Sequence, residues 1–477
     1  MGEYTRRKFI KSFAQSAVAA SLTHRYINPR NSKKQPNIII LLADDQRNDT
    51  LGCAGHPIVQ TPNIDLLASE GTKFNNAFVT TSICTASRAS ILTGLFERTH
   101  GFSFNKPPIQ DMDIANSYTV KLRQHGYKSG FVGKFGIKVT PEAMDTLFDY
   151  QEFFPRAQYF FKMEDGSIKH EIDHAVDLAI NFIKQEQNNP FVMTISFNSP
   201  HADPFNLDDH FPWPESSNGL YENITIPEPL LSDESIFNAL PEFLKTSLNR
   251  ERFFWRWDTD EKYQKNMKAY FRMITGIDTA IGRLRQQLQH LKIDNNTVII
   301  YLADNGYYMG NRGFAGKWSH YEESLRIPMI IFDPRTEELN KGKNVNSMVL
   351  NIDLAPTLLE IAGASIPHHY QGLSLMPLVH GLSIEWRSDF FCEHLLIHAG
   401  IPKWEGVRTE NFMYARYFEQ DPVYEFLHEF ETDPNELVNL ASNKNYQIQL
   451  KQLRNRCDNL VEQYTPKPDA IFKNSFE

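Results

Sequence analysis

Two stretches far apart in the chain are built alike. "NIIILLADD" (37–45) and "TVIIYLADNG" (297–306) are each an apolar run of strand length that ends in side chains offering oxygen. A strand apolar on both faces must be covered on both, which is the condition of a parallel strand between two layers of helices. "FVMTISFNSPH" (191–201) and "IPMIIFDP" (327–334) are of the same kind, and "GFVGK" is a shorter example. Helical periodicity fills the intervals at 61–72, 115–127, 172–187 and 267–291. This alternation predicts an α/β fold with a doubly wound, mostly parallel sheet. Ligands of such sheets sit beyond the carboxyl ends of the strands. Polar residues collect there: Asp44 and Asp45, Asp304 and Asn305, His201, and Lys134.

The residue types at these ends suggest chemistry. Adjacent carboxylates repel unless a cation neutralises them. An oxygen-only set suits Ca²⁺ or Mg²⁺, with Ca²⁺ favoured because it accepts several protein oxygens. Lys134, His201, Lys317, His320 and Arg88, gathered at one edge beside a metal, would make an anion cradle with an acid or base in it. Cys84 stands among Ser82, Thr85, Ser87 and Arg88, a polar setting that argues against simple apolar burial. Arg88 and a helix N-terminus there would depress a thiol pKa or stabilise an anion. The four cysteines show no zinc-site spacing. A net charge of −9 argues against nucleic-acid binding, though not against a small anionic substrate held by a local basic cluster.

The chain divides by composition. Residues 1–35 carry "TRRKFIK" and a short stretch of small residues, which resembles a twin-arginine export signal and predicts a periplasmic or secreted protein that matures near Asn37. No apolar segment reaches the ~20 residues of a membrane span. A catalytic domain is expected over 36–375. Within it, 202–262 is rich in Pro, Asp and aromatics and reads as a substrate-side insertion. Its "FFWRWD" offers Trp255 and Trp257 as sugar-stacking rings and Arg256 for a uronate or second sulfate, against the alternative that the tryptophans only pack. A small α+β subdomain is expected over 376–477, closed by a helix near 446–463.

"CTASRASILTG" (84–94) is similar to the motif of the type I sulfatases, C-x-(P/A)-S-R followed by L-T-G. "LLADDQRNDTLGCAGHP", "TPNIDLLASEGTKFNNAFV", "NSPHADP", "YLADNG" and "GKWSHYEESLRIPMII" follow that family's order, over roughly residues 36–465. The resemblance implies an alkaline-phosphatase-like α/β fold and hydrolysis of sulfate esters on a polysaccharide or oligosaccharide, algal (ulvan, carrageenan) or glycosaminoglycan. It implies that a maturation enzyme converts Cys84 to formylglycine, reading Ser87 and Arg88. It makes Asp44, Asp45, Asp304, Asn305 and the converted Cys84 ligands of one Ca²⁺. Lys134, His201 and Lys317 match sulfate-binding or proton-transfer positions.

The family commonly has Gly-Lys-Trp-His where this chain reads "GKFG", so Phe135 and Gly136 replace Trp and His. His320 is the candidate substitute base, against the alternative of a packing histidine. Ala86 stands where proline is commoner. Two other readings are a phosphatase or phosphodiesterase of the same fold using unmodified Cys84, and a binder of sulfated glycans that has lost catalysis.

Overall fold

The computed structural model describes residues 35–466; the segment 1–35 expected to be an export signal lies outside them but for its last residue. The first apolar run forms β1 (Asn37–Ala43), buried along its whole length in an eight-stranded sheet. The other strands are β2 (Thr72–Phe74), β3 (Lys128–Gly133), β4 (Tyr150–Phe153), β5 (Phe191–Ser196), β6 (Thr297–Ala303), β7 (Met329–Phe332) and β8 (Lys343–Val345). Their spatial order is β8-β2-β7-β6-β1-β5-β3-β4. β1 pairs in parallel with both β5 and β6, setting Leu41 opposite Ile195 and Tyr301. β3 pairs in parallel with β5 and β4. Five neighbouring strands therefore present their carboxyl ends at one edge. The run at 327–334 corrects the parallel expectation: β7 is antiparallel to both β6 and β2. It returns from β6 through a loop, and a strand that turns back on its neighbour needs no crossover helix.

Helices cover the sheet. Helix α1 (Pro62–Glu70) precedes α2 (Cys84–Thr93), which begins on the cysteine of the motif and ends at Gly94, φ +70°. Helix α3 (Glu171–Glu186) buries Ile172, Ala175, Val176, Ala179, Phe182 and Ile183, the three-and-four spacing of one face. The long insertion carries short helices at Glu234–Asn238 and Glu242–Lys245, then α4 (Leu248–Arg256). Helix α5 (Asp260–His290) starts earlier than its periodicity suggests, because the Thr259 side chain accepts from the Lys262 amide and caps it. Helix α6 (Leu354–Ala362) follows the sheet. Among the described residues, no helix is long and apolar enough to cross a membrane.

The remaining chain makes an antiparallel sheet of β9 (Asp389–His394), β10 (Trp404–Thr409), β11 (Phe412–Tyr417) and β12 (Tyr424–Glu429). Helix α7 (Gln447–Tyr464) covers it with Leu450, Leu453, Cys457 and Leu460. This sheet is fastened to the loop before α2. Thr81 bridges to Glu393, and the Glu393 amide donates to Thr80 O at 2.9 Å. Arg98 Nε donates to Glu393 at 2.9 Å, while Thr81 Oγ1 donates to Glu97 at 2.6 Å.

Burial, with the nearby Glu393 carboxylate, pushes Glu97 up to about 8. Its unfolded value lies near 4.5, so the folded state holds an extra proton between the two. The stabilisation is complete below the lower value and is lost as pH rises to the upper. Glu97→Gln should therefore show a shallower fall in Tm between about pH 5 and pH 8 than the parent. An unchanged slope in thermal melts would show that Glu97 is not the group titrating.

Candidate active site

The parallel ladder itself brings the acid pairs together. Asp44 and Asp45 continue from β1, Asp304 and Asn305 from β6, and all four are buried. The Asp304 amide donates to Ala43 O at 3.0 Å. Asp45 has φ +60°, a left-handed conformation that costs a non-glycine residue about 1–2 kcal/mol. Two hydrogen bonds hold it there: its amide donates to Asp304 Oδ1 at 3.2 Å, and its carbonyl accepts from Tyr270 Oη at 2.8 Å.

Cys84 opens α2 directly against these acids. Its Sγ lies 3.2 Å from Asp44 Oδ1 and 3.8 Å from Asp45 Oδ1. Lys134, just past β3, donates to Asp44, and Lys317 donates to Asp45. Lys317 Nζ is also 3.0 Å from Cys84 Sγ. Arg88, one turn along α2, donates through Nε to Asp304 Oδ2 at 2.8 Å. Its Nη1 reaches Lys134 O at 2.6 Å and Ser196 Oγ at 2.5 Å. His201 donates from Nδ1 to Ala202 O at 2.6 Å, which assigns the proton to Nδ1 and leaves Nε2 bare, 3.6 Å from Asp45 Oδ2.

Four of these groups, Asp44, Asp45, Cys84 and His201, offer ligand atoms within 4.8 Å of one another. Asn305 donates from Nδ2 to Asp45 Oδ1 at 2.7 Å, and its Oδ1 is buried without a partner. An orphaned amide oxygen beside three carboxylates is the donor set of a hard dication, so the residues present fit Ca²⁺ or Mg²⁺. The charges agree. Burial, with Asp44 adding to it, raises Asp304 to about 6. Burial also opposes ionisation of Asp44, yet Lys134, His201, Arg88 and Lys317 together hold it well below the usual range. Lys317 is pushed upward by Asp45, Cys84 and Asp44 against its own burial, so it stays an ammonium. Burial lowers His201 to about 3, so the imidazole is neutral.

Two expectations change. The Cys84 thiol is not depressed: burial, then Asp44, pushes it up to about 12, outweighing Lys134 and Lys317. His320 does not stand in for the absent histidine. Its Nδ1 is 3.0 Å from Tyr417 Oη and its Nε2 3.4 Å from His428 Nε2, both on the C-terminal sheet, so it is a packing residue. Gly136 has φ +71°, and a Cβ there would sit 3.2 Å from Arg88 Cδ, so the turn disfavours any side chain. Of the insertion residues, Trp257 is buried against Phe211, Tyr263 and Tyr307, Arg256 is buried beside it, and Trp255 is half-buried. Tyr270 and Ser196, which position Asp45 and Arg88, were not read from the sequence; each lies inside an apolar pattern that gives no sign of it. Arg252 was also missed, although it stands one helical turn from Arg256.

Gly136→Ala should cost about 1–2 kcal/mol in urea unfolding, because alanine must adopt the left-handed turn. An equally stable variant would show that the turn tolerates a side chain.

A family model described as Sulfatase matches residues 36–364, and one described as N-sulphoglucosamine sulphohydrolase, C-terminal, matches 310–463. The N-acetylglucosamine-6-O-sulfatase of Bacteroides thetaiotaomicron is 27% identical over 92% of this chain and 88% of its own length. The ulvan-active sulfatase of Formosa agariphila is 26% identical over 83% and 76%. A solved structure in complex with D-glucosamine-2-N,6-O-disulfate superposes with a TM-score of 0.76 at 24% identity, covering 90% of this chain and 98% of its own. A phosphonate monoester hydrolase from Silicibacter pomeroyi gives the same TM-score at 20% identity, covering 90% and 96%, a likeness of fold alone.

Proposed function

The chain belongs to the sulfatase family and is a sulfuric ester hydrolase, and on that premise we propose that it removes sulfate from a sulfated carbohydrate through Cys84, matured to formylglycine, with one Ca²⁺. The observation that carries this reading is the placement of Cys84, first residue of its helix, in contact with Asp44, Asp45 and Lys317 together. A thiol pushed up to about 12 is a poor nucleophile at neutral pH, which counts against a phosphatase working with the unmodified cysteine. The relatives that act on N-acetylglucosamine 6-sulfate and ulvan favour a sugar ester as substrate. Export to the periplasm or beyond, and a separate maturation enzyme, belong to the same proposal and rest on the leader and the C-T-A-S-R motif.

In this reading Asp44, Asp45, Asp304 and Asn305 would hold the cation, whose chemistry when bound would be to favour ionisation of an oxygen nucleophile at the converted residue 84. The chain's own side chains do the rest. The ammoniums of Lys134 and Lys317 offset negative charge on the sulfuryl oxygens. Lys317, charged and touching position 84, is placed to give a proton to the departing sugar oxygen. His201 presents a bare Nε2 that can accept one. Arg88 fixes Asp304 and the Lys134 backbone, so it orients two of the groups that act.

The test joins sulfate release from a panel of defined sulfated oligosaccharides to mass spectrometry of the Cys84 peptide. Sulfate release should appear with a peptide that has lost its sulfur. Chelation should abolish release and Ca²⁺ restore it, and Cys84→Ala should show none. Turnover by a chain still carrying the thiol, or unaffected by chelation, would contradict the proposal.

A further inference from the structure

Beside the active site lies a group of hydrogen-bond donors with nothing to donate to. Arg252 and Arg256 stand one turn apart on α4. Nε of both, and Nη2 of Arg256, are buried without a partner, as are Tyr307 Oη and Trp257 Nε1. Arg256 is only 1% exposed. A buried guanidinium left without an acceptor is costly, and two of one sign in adjacent turns repel. Burial, with Arg256 next, accordingly pushes Arg252 down to about 10. Donors of this kind, gathered without an acceptor, are what an anion would satisfy.

The place of the group is set by the catalytic loops. Tyr307 follows Asn305 by two residues, and its phenol feels Arg256, Asp45, Arg252 and Lys317. The Arg252 guanidinium lies 4.9 Å from the ring centroid of Trp318, the residue after Lys317. Asn249 of α4 donates to Lys317 O at 2.6 Å, so the helix is tied to the lysine loop. Trp255 is half-buried, as is Arg252, with Arg252 at 5.8 Å and Arg256 at 5.7 Å from the Trp255 ring centroid.

We propose that Arg252, Arg256, Tyr307 and Trp257 form a second anion subsite, which binds a sulfate or carboxylate on the same substrate, next to the sulfate ester being cleaved. The substrate class is thereby narrowed to sugars carrying at least two negative groups. Planar guanidiniums bind either anion through paired N–H donors. The inference rests on the sulfated-carbohydrate reading above and deepens it.

The experiment compares three probes: N-acetylglucosamine 6-sulfate, with one anion; glucosamine 2-N,6-O-disulfate, with a second sulfate; and a uronate-containing 6-sulfated disaccharide, with a carboxylate. Calorimetric binding is measured on calcium-loaded Cys84→Ala protein, and kcat/KM on the matured enzyme. At least one two-anion probe should bind more tightly than the first by about tenfold or more, and Arg252→Gln and Arg256→Gln should collapse that ratio. Which probe is favoured identifies the second anion. Arg256→Met should lose the preference while keeping or raising Tm, since it removes an unpaired buried charge; a purely structural arginine would lower it. Equal binding of all probes, or a preference that survives in folded variants, would overturn the subsite. Tight binding of a probe with no sulfate release by matured, calcium-loaded protein would count against the enzymatic reading, while the binding ratio would still decide the subsite.

Discussion

Three buried carboxylates, Asp44, Asp45 and Asp304, converge at one sheet edge, and the rest of the site is arranged around their charge. No such cluster is stable alone at low dielectric. Lys134 and Lys317 donate to two of the acids and Arg88 to the third. His201 and Asn305 complete the ring. The cysteine that opens α2 is held in this field, so a reactive group made at position 84 would stand between carboxylates able to hold a cation and ammoniums able to hold an anion. Burial, then Asp44, outweighs Lys134 and Lys317 and keeps the unmodified thiol protonated at neutral pH.

The fold places these groups economically. Most come from a segment that has just left a parallel strand or entered a helix, so sheet register fixes much of the geometry; Lys317 comes from the loop between Gly313 and Glu322. The C-terminal sheet contributes at a distance, tying the loop before Cys84 through Glu393 and drawing His320 into its aromatic core. Helix α4 contributes from the other side, anchored to Lys317 O through Asn249.

What was legible in the sequence follows from this division. The acid pairs were readable because each ends an unbroken apolar run, and such runs must lie side by side in a covered sheet. Lys134 and His201 were readable because they follow apolar strand runs, and Cys84, Arg88 and Lys317 because their motifs resemble those of the sulfatases. The direction of β7 was not, since an apolar run carries no sign of the polarity of its neighbours. His320 shares a motif with Lys317, but Trp318 between them takes φ +81°, and the His320 ring contacts Tyr417 and His428 while Lys317 contacts Asp45 and Cys84. The thiol pKa was misjudged because the helix N-terminus was visible and Asp44, far away in sequence, was not weighed against it. Arg252 escaped notice because the insertion has little periodicity, and Tyr307 because it lies in the loop beyond the acid pair; an absent partner shows only in three dimensions.

The account turns on the oxygens of Asp44, Asp45, Asp304 and Asn305 forming one cation site that touches residue 84. Anomalous diffraction from crystals grown with Ca²⁺ tests this most directly. The predicted result is one ion about 2.3–2.6 Å from oxygens of those four residues, with the Lys134 and Lys317 ammoniums displaced from the carboxylates. Crystals that show the lysine–aspartate pairs intact and no ion at saturating Ca²⁺ would contradict it.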